Sequence, residues 1–186
     1  MRCFIAIDLD EEIRGALSNL QQQLAAGADI KKSDVKWVRP ESVHLTLKFL
    51  GEVKDEKILE VCDAVKEVAG RHNSFDLKIE SVGYFGGRSA RVLWVGTDSD
   101  NLSRLQKDLE QRLAQAGWPD EKREFSGHLT LCRVRNPKAG VRLATISENY
   151  KDFKLGVMPA DSVTLYQSQL KPTGPVYTPL ANYKLQ

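Results

Sequence analysis

The tetrapeptide His-Leu-Thr-Leu occurs twice in this chain, at positions 44–47 and 128–131. The chain has only three histidines, and two of them open these two copies. The copies lie 84 positions apart, from 44 to 128, and each stands in sequence rich in strand-forming residues. An internal duplication would account for the repeat, and it predicts two related lobes that each contribute one copy to a shared site.

Alternation along a strand separates the two kinds of side chain in each copy. Successive side chains point to opposite faces, so His44 and Thr46 share one face, about 6.6 Å apart along the strand, while the leucines share the other. His128 and Thr130 share a face in the same way. We expect the leucines to anchor each strand in the core and the two histidine–threonine pairs to face each other across a cleft.

Two histidines and two threonines form a set suited to a phosphate ester. Threonine hydroxyls can donate hydrogen bonds to the non-bridging phosphate oxygens. Because an imidazole has an unperturbed pKa of about 6.5, one copy can be neutral and the other protonated near neutral pH. One histidine would then accept a proton from the attacking oxygen while the other donates a proton to the leaving oxygen. The two motifs are identical, so the residues alone leave the assignment of these roles open.

The remaining histidine and the three cysteines have no comparable partners in the sequence. His72 lies just beyond a predicted helix end and is expected to be an exposed loop residue. Cys3, Cys62 and Cys132 are odd in number, widely spaced and outside any C-x-x-C pattern, so neither a disulfide framework nor a zinc site is predicted. We expect Cys132 to be a small packing residue rather than a nucleophile. No metal and no cofactor are expected.

Length and composition favour one domain over residues 1–186. The chain is 41% hydrophobic, which at this length suffices for one sizeable core. A net charge of +2 is too small to hold duplex nucleic acid by charge alone, although a local basic cleft is compatible with it. The first residues lack a long apolar run, and no stretch approaches the roughly 20 apolar residues that span a bilayer. We expect a cytoplasmic protein without a membrane segment, and a monomer.

Apolar periodicity predicts a mixture of helices and strands. The predicted helices are 13–24, 55–69 with Asp55 as N-cap, 102–116, and a weaker one within 137–150. The glycines placed to end the first three are Gly27, Gly70 and Gly117. The predicted strands are 4–7, 43–50, 75–82, 91–95, 128–134 and 162–166. A turn at 84–87 between two of these strands favours antiparallel pairing, so the predicted class is α+β rather than a doubly wound parallel fold.

Beyond the two motifs, several segments of the chain are similar to one known family. The chain resembles the 2H phosphoesterase superfamily, named for two His-x-Thr-x motifs, and within it the RNA 2′,3′-cyclic phosphodiesterase branch, also called 2′-5′ RNA ligase or LigT-like. The resemblance covers essentially residues 2–185. The similar segments are 4–8, 37–41, 48–51, 165–168 and 174–177.

The resemblance implies a fold, a reaction and a set of site residues. The fold would be a bilobal α+β domain with pseudo-twofold symmetry, antiparallel or mixed sheets lining a central cleft, and helices packed outside. The reaction would be metal-independent hydrolysis of a terminal 2′,3′-cyclic phosphate to a 2′-phosphate, on an RNA end or a nucleotide. His44 would be the proton donor and His128 the proton acceptor. The residues implied in substrate binding are Thr46, Thr130, Arg133 and Phe4.

Three residues near the motifs have a second interpretation. Strict alternation places Arg133, five residues after its motif histidine, on the opposite face, so its role requires the strand to twist, bulge or end near Cys132. Lys48 shares the histidine's face by parity, but it is equally well explained as a solvated lysine at a strand end. For Phe4, packing in the core is the stronger interpretation.

Other functions remain open on the sequence alone. The same chemistry could act on a small cyclic nucleotide, or run in reverse as ligation at a 2′-5′ linkage. The chain could instead be an RNA-end-binding module without turnover, although the presence of both histidines and both threonines argues against this. A metallohydrolase is disfavoured because threonine is a poor ligand and neither motif has an Asp, Glu or second His on the same face within two residues.

Overall fold

The computed structural model describes residues 1–172 and 174–186, in which nine strands and four α-helices form. The strands are β1 (Arg2–Ile7), β2 (Val35–Trp37), β3 (Leu45–Glu52), β4 (Phe75–Gly86), β5 (Ala90–Asp98), β6 (His128–Val134), β7 (Lys154–Ala160), β8 (Ser162–Lys171) and β9 (Gly174–Lys184). The helices are α1 (Glu11–Gly27), α2 (Ile58–Ala69), α3 (Asp100–Gln115) and α4 (Pro137–Ser147). Among the described residues, no helix has the length and apolarity needed to cross a membrane.

The strands form two antiparallel sheets. One sheet has the order β3-β1-β8-β9 and is covered by α2 and α3; we call this unit lobe 1. The other has the order β2-β6-β5-β4-β7 and is covered by α1 and α4; we call this unit lobe 2. All the strand pairs of both sheets are antiparallel. The predicted α+β class is confirmed.

The two lobes correspond strand by strand, apart from the extra edge strand β2. In this correspondence β3 matches β6, β1 matches β5, β8 matches β4 and β9 matches β7. The chain also crosses between lobes in a matching way. The helix α1 follows β1 of lobe 1 but packs on lobe 2, and α3 follows β5 of lobe 2 but packs on lobe 1. The pseudo-twofold relation implied by the repeated tetrapeptide is therefore present in the topology.

Helix positions follow the apolar stripes, with differences at the ends. The N-cap Asp10 begins α1 by accepting a hydrogen bond from the Ile13 amide at 2.8 Å, and Gly117, with φ of +95°, follows the end of α3. The prediction of Asp55 as an N-cap is wrong, because residues 55–57 form a 3₁₀ turn and the α-helix begins at Ile58. The buried face of α2 consists of Val61, Ala64, Val65, Val68 and Ala69.

Three strands were not predicted, and all three lie at sheet edges. They are β2, β7 and β9. Strand β2 is only three residues long, and β7 and β9 contain proline. An edge strand tolerates proline because the amides on its outer side need no hydrogen-bond partner in the sheet. Their sequences lack the apolar alternation of a central strand. The predicted turn at 84–87 also begins too early, since β4 continues to Gly86.

A β-bulge interrupts the strand at the last leucine of each tetrapeptide. In β3, Thr46 lies opposite Ala6 and Lys48 lies opposite Ile5, which leaves Leu47 as the extra residue. In β6, Thr130 lies opposite Trp94 and Cys132 lies opposite Leu93, which leaves Leu131 as the extra residue. A bulge shifts the alternation by one residue, so every later side chain changes face.

The bulge in β3 explains why both interpretations of Lys48 are wrong. Opposite Ile5, the lysine faces the core of lobe 1 rather than the cleft, and its side chain is 5% exposed. Its Nζ pairs with Glu110 Oε2 of α3 at 2.5 Å and donates to the Pro119 carbonyl at 3.0 Å. This buried ion pair ties the motif strand to the helix behind it.

The Lys48–Glu110 pair leads to a prediction about stability. Replacing Lys48 with Met leaves the Glu110 carboxylate, 14% exposed, without its cation, so the free energy of unfolding in urea should fall by about 3–5 kcal/mol. In the double variant Lys48→Met/Glu110→Leu, apolar packing replaces the pair, and most of the loss should be recovered. A single variant as stable as the parent would contradict a structural role for the pair.

Candidate active site

A cleft lies between the lobes, where β3 and β6 approach each other. Its cavity has a volume of about 610 Å³, within the range of pockets that hold nucleotide-sized ligands. Five of the six residues singled out from the sequence line it: Phe4, His44, Thr46, Thr130 and Arg133. His128 lies outside this lining, two residues before Thr130 and on the same face of β6.

The His44 imidazole is held in a cluster of aromatic rings. The ring of Phe4 is nearly parallel to it at 4.8 Å between centroids, that of Tyr166 is nearly parallel at 5.8 Å, and that of Tyr177 meets it edge-on at 4.9 Å. Burial among these rings lowers the pKa of His44 to about 4, and the opposing charge of Asp8 does not offset it. His44 is therefore neutral at pH 7 in these surroundings.

A hydrogen-bond network fixes the tyrosine beside His44. Asp8 accepts from the Tyr166 hydroxyl at 2.6 Å and from the Thr164 hydroxyl at 2.8 Å, and Asn182 donates to Thr164 Oγ1 at 2.8 Å. Burial is the main cause that raises the pKa of Tyr166 above its ordinary value, and the hydrogen bond to Asp8 is the second cause. The tyrosine thus stays protonated and keeps its ring aligned with the imidazole.

His128 has different contacts from His44. Its Nδ1 lies 2.7 Å from the Ser126 carbonyl oxygen. A carbonyl can only accept, so Nδ1 carries the hydrogen, and Nε2 of the neutral ring is left with its lone pair. The ring meets Phe85 edge-on at 5.0 Å and lies 6.2 Å from Trp94. His128 thus presents a basic nitrogen whose orientation is set by the backbone.

A glycine makes room for the tryptophan that supports His128. Trp94 lies opposite both Thr130 on β6 and Gly83 on β4. A Cβ at Gly83 would fall 2.3 Å from the Trp94 ring, far inside contact distance. The matching positions of lobe 1 hold Ala6 and Thr164, so the two histidines are packed by different side chains.

The cavity lining is strongly cationic. It contains four basic residues and, among the described residues that line it, no aspartate or glutamate; the four are Arg2, Lys36, Arg39 and Arg133. Burial raises the pKa of Tyr177, and the positive charges of Arg133 and Arg2 oppose part of this rise. Both guanidinium groups therefore act on the space beside His44. A cleft of this charge attracts anions.

The bulge in β6 explains why Arg133 lies on the cleft face of its strand. Because Leu131 is the extra residue, Arg133 lies opposite Val92 while Thr130 lies opposite Trp94, and both therefore face the cleft. The carbonyl of Leu131 accepts from the Val38 amide at 2.9 Å and from Gln21 Nε2 at 3.0 Å, which stabilises the irregular backbone. The condition that the sequence set for Arg133, a bulge near Cys132, is met.

Other residues discussed from the sequence have clear positions. Phe4 is 2% exposed, which favours its interpretation as a packed residue, since little of its ring is free to meet a base. The prediction of an exposed His72 is wrong: its side chain is 15% exposed, and its Nε2 lies 2.8 Å from Asp108 Oδ2 of α3. Cys132 is fully buried with a pKa raised to about 12, which confirms a packing role.

Several residues of the cleft carry no signal in the sequence that identifies them. Lys36 and Arg39 lie on and just after β2, a strand too short to predict. Tyr166 and Tyr177 lie in segments that carried the family resemblance, but no local pattern indicates that they surround His44. Phe49 lies opposite Phe4 and faces the cleft because of the bulge in β3, which the tetrapeptide itself does not indicate.

Comparison with known proteins agrees with this geometry. The family described as LigT like Phosphoesterase matches the chain twice, over residues 7–94 and 95–177. The chain belongs to the LigT-like phosphoesterases, and it is an enzyme of this hydrolytic class. The double match divides the sequence into two halves, as the repeated tetrapeptide does, and each half contains one copy.

Relatives of this LigT-like phosphoesterase share its whole length. A protein of Methanothermobacter thermautotrophicus named RNA 2′,3′-cyclic phosphodiesterase is 34% identical, over 100% of this chain and 99% of its own. One of Archaeoglobus fulgidus with the same name is 35% identical, over 97% and 98%. A crystal structure of E. coli LigT complexed with 3′-AMP has a TM-score of 0.76 and 29% identity, covering 99% of this chain and 97% of that one.

The low pKa of His44 can be tested by NMR titration of the imidazole protons. In the free protein the His44 signal should titrate well below pH 6.5, near pH 4, because the buried ring disfavours the cation. Saturating inorganic phosphate should raise this pKa, because a nearby anion stabilises the protonated ring. His44→Gln assigns the signal. An unperturbed pKa that phosphate does not move would contradict the environment described.

The packing of Trp94 on Gly83 can be tested by a pair of glycine variants. Gly83→Ala should lower the free energy of unfolding by about 1–3 kcal/mol and shift the His128 ring signals, because the Trp94 ring must move. Gly87→Ala, in the same hairpin and with no atom within 4 Å of the added carbon, should stay within about 0.5 kcal/mol of the parent. Equal effects of the two variants would contradict the assignment.

Proposed function

We propose that this phosphoesterase hydrolyses the terminal 2′,3′-cyclic phosphate of an RNA to a 2′-phosphate, with His44 as proton donor and His128 as proton acceptor. The observation that carries the proposal is the pair of His-x-Thr units on β3 and β6, which adjoin one cation-lined cleft. The names of the full-length relatives and the 3′-AMP complex of E. coli LigT support the substrate class.

The surroundings of His128 support its role as acceptor. Its Nδ1 is committed to the Ser126 carbonyl, so the free Nε2 can take a proton from water as the water attacks phosphorus.

The role of donor requires His44 to be protonated, which its burial opposes in the empty cleft. A bound cyclic phosphate carries a negative charge, and this charge would act together with Asp8 to raise the pKa of His44. In this scheme the imidazole takes up a proton as the substrate binds. It then delivers that proton to the 3′ oxygen as the P–O bond breaks, so the product keeps its phosphate on the 2′ oxygen.

The phosphate would be held by groups that face the cleft from both strands. Thr46 and Thr130 can donate hydroxyl hydrogens to the non-bridging oxygens, and the guanidinium of Arg133 adds a paired, charged donor. With one imidazole accepting a proton, the other donating one, and positive charge supplied by arginine and lysine, the proposed chemistry needs no metal ion. Both motif strands belong to one chain, so we propose residues 1–186 as one functional domain that acts as a monomer.

The proposal is tested with an RNA oligonucleotide that ends in a 2′,3′-cyclic phosphate. The parent protein should add one water and give a 2′-phosphate end, identified by mass and by comparison with synthetic 2′- and 3′-phosphate standards. His44→Ala and His128→Ala should each lower kcat by about 10²–10⁴-fold, and should still bind the RNA end. His72→Ala, a histidine outside the cleft, is the matched control and should retain activity.

Three outcomes would contradict the proposal. Full activity in both cleft histidine variants would remove the acid–base mechanism. If the RNA end stays intact while a small cyclic nucleotide is opened, the substrate is the small nucleotide and not the RNA end. Activity that is lost with a chelator and restored by a divalent metal would overturn the metal-independent chemistry.

A further inference from the structure

A buried glutamine of α1 reaches the backbone of two segments beside the cleft. Gln21 is 8% exposed and lies on the helix face of Leu17 and Leu24, which are fully buried. A buried amide costs free energy unless it is hydrogen-bonded. Its Nε2 donates to the Val38 carbonyl at 2.8 Å and to the Leu131 carbonyl at 3.0 Å. Gln21 therefore joins two segments that are distant in the sequence.

The first of these segments connects the two lobes. Strand β2 pairs with the motif strand β6 up to Trp37, which lies opposite Cys132, and the chain then runs to His44 and β3 of lobe 1. We call residues 38–43 the link. The link residues that line the cavity are Val38, Arg39, Ser42 and Val43. The link is therefore a wall of the cleft, and it joins the strand beside one motif to the other motif.

Gln21 supplies a hydrogen bond that the sheet lacks where β2 ends. The Val38 amide donates to the Leu131 carbonyl at 2.9 Å and continues the pairing of β2 with β6. No backbone amide of the described chain donates to the Val38 carbonyl, so Gln21 Nε2 satisfies it. The same nitrogen bonds the carbonyl of the bulge residue Leu131. The start of the link is thus tied through one side chain to the bulge of β6.

A second residue of α1 holds the link nearer to His44. Arg14 precedes Gln21 by about two helical turns, so both lie on the same side of the helix. Its Nη1 donates to the Pro40 carbonyl at 3.0 Å, and its Nε donates to the Leu9 carbonyl at 3.1 Å. Helix α1 therefore contacts the link at both of the residues that flank Arg39.

A reaction in this cleft depends on the distance between groups from two strands. His44 and Thr46 belong to the lobe 1 side, whereas Thr130 and Arg133 stand on β6 of lobe 2. One phosphate must meet both sets at once. A misplacement of about 1 Å between reacting groups can lower a rate by about 10²-fold. Contacts that fix the link therefore bear on the rate even where they lie outside the cavity.

We propose that Gln21 is a positioning residue, which holds the link against the bulge of β6 and thereby keeps His44 at working distance from Thr130 and Arg133. The inference rests on the proposed function for its kinetic test, and it extends that function to a residue outside the cavity lining. Gln21 has no contact with the substrate in this scheme and takes no part in the proton transfers.

The kinetic test replaces Gln21 with Met, which keeps the length of the side chain and removes the donor. With an RNA that ends in a 2′,3′-cyclic phosphate, kcat should fall about 10–100-fold, because the two halves of the site no longer meet one phosphate correctly. KM should change by less than about threefold. Gln21→Asn keeps an amide that is one methylene shorter; it should lower kcat in the same direction, and it provides the test if the Met variant does not fold.

A second buried glutamine provides the matched control. Gln106 of α3 is also 8% exposed, and its Nε2 donates to Glu110 Oε1 at 3.1 Å, away from the link. Gln106→Met should lower the urea midpoint of unfolding about as much as Gln21→Met does, yet keep the kcat of the parent. A loss of stability alone therefore does not reproduce the expected kinetic effect.

A phosphate titration followed by NMR separates positioning from a merely structural role. Saturating inorganic phosphate should raise the pKa of His44 in the parent and in Gln106→Met, because the anion lies near the imidazole. In Gln21→Met, phosphate should still bind, as measured by calorimetry, but should raise this pKa clearly less.

The outcomes distinguish this inference from the proposed function. If Gln21→Met keeps the kcat of the parent, or if phosphate raises its His44 pKa as in the parent, the positioning role is overturned. If the parent opens no cyclic phosphate while the phosphate response of His44 still depends on Gln21, the proposed function fails and the positioning role stands.

Discussion

The two β-bulges at Leu47 and Leu131 are the constraint on which the rest of the cleft depends. Without them, alternation would carry Arg133 away from the cleft and would turn Lys48 toward it. With them, each motif strand presents three residues to the cleft, the histidine, the threonine and the residue at the fifth position after the histidine, and still buries both leucines. An irregular backbone at equivalent positions thus gives each strand a third side chain that lines the cavity, Phe49 on β3 and Arg133 on β6.

The support for these bulges comes from the opposite half of the chain. The carbonyl of Leu131 is bonded by Gln21 of α1, which follows a strand of lobe 1, and the lysine after Leu47 is bonded by Glu110 of α3, which follows a strand of lobe 2. The crossing of helices between lobes therefore ties each motif to the other half of the sequence. These buried polar contacts hold the two motif strands in a fixed position relative to each other. Their loss would leave unpaired polar groups in the core.

Much of this molecule could be predicted from the sequence because its strongest signals are local. Repeated motifs, apolar stripes and β-prone runs predict the paired histidines, the four helices and six of the strands. The edge strands β2, β7 and β9 could not be predicted, since their pairing depends on a neighbour and not on their own pattern. The positions of Lys48 and Phe49 were also inaccessible, because a bulge is set by the pairing of two distant segments and leaves no mark in the tetrapeptide.

The identical tetrapeptides differ in chemistry because their surroundings differ. His44 is enclosed by the rings of Phe4, Tyr166 and Tyr177, so its charged form is disfavoured until an anion arrives, whereas His128 takes its orientation from a backbone carbonyl. Under the proposed scheme, the enclosed ring takes up its proton together with the phosphate and then acts as the acid. A symmetric fold thereby supports an asymmetric reaction, in which burial on one side and hydrogen bonding on the other separate the two roles.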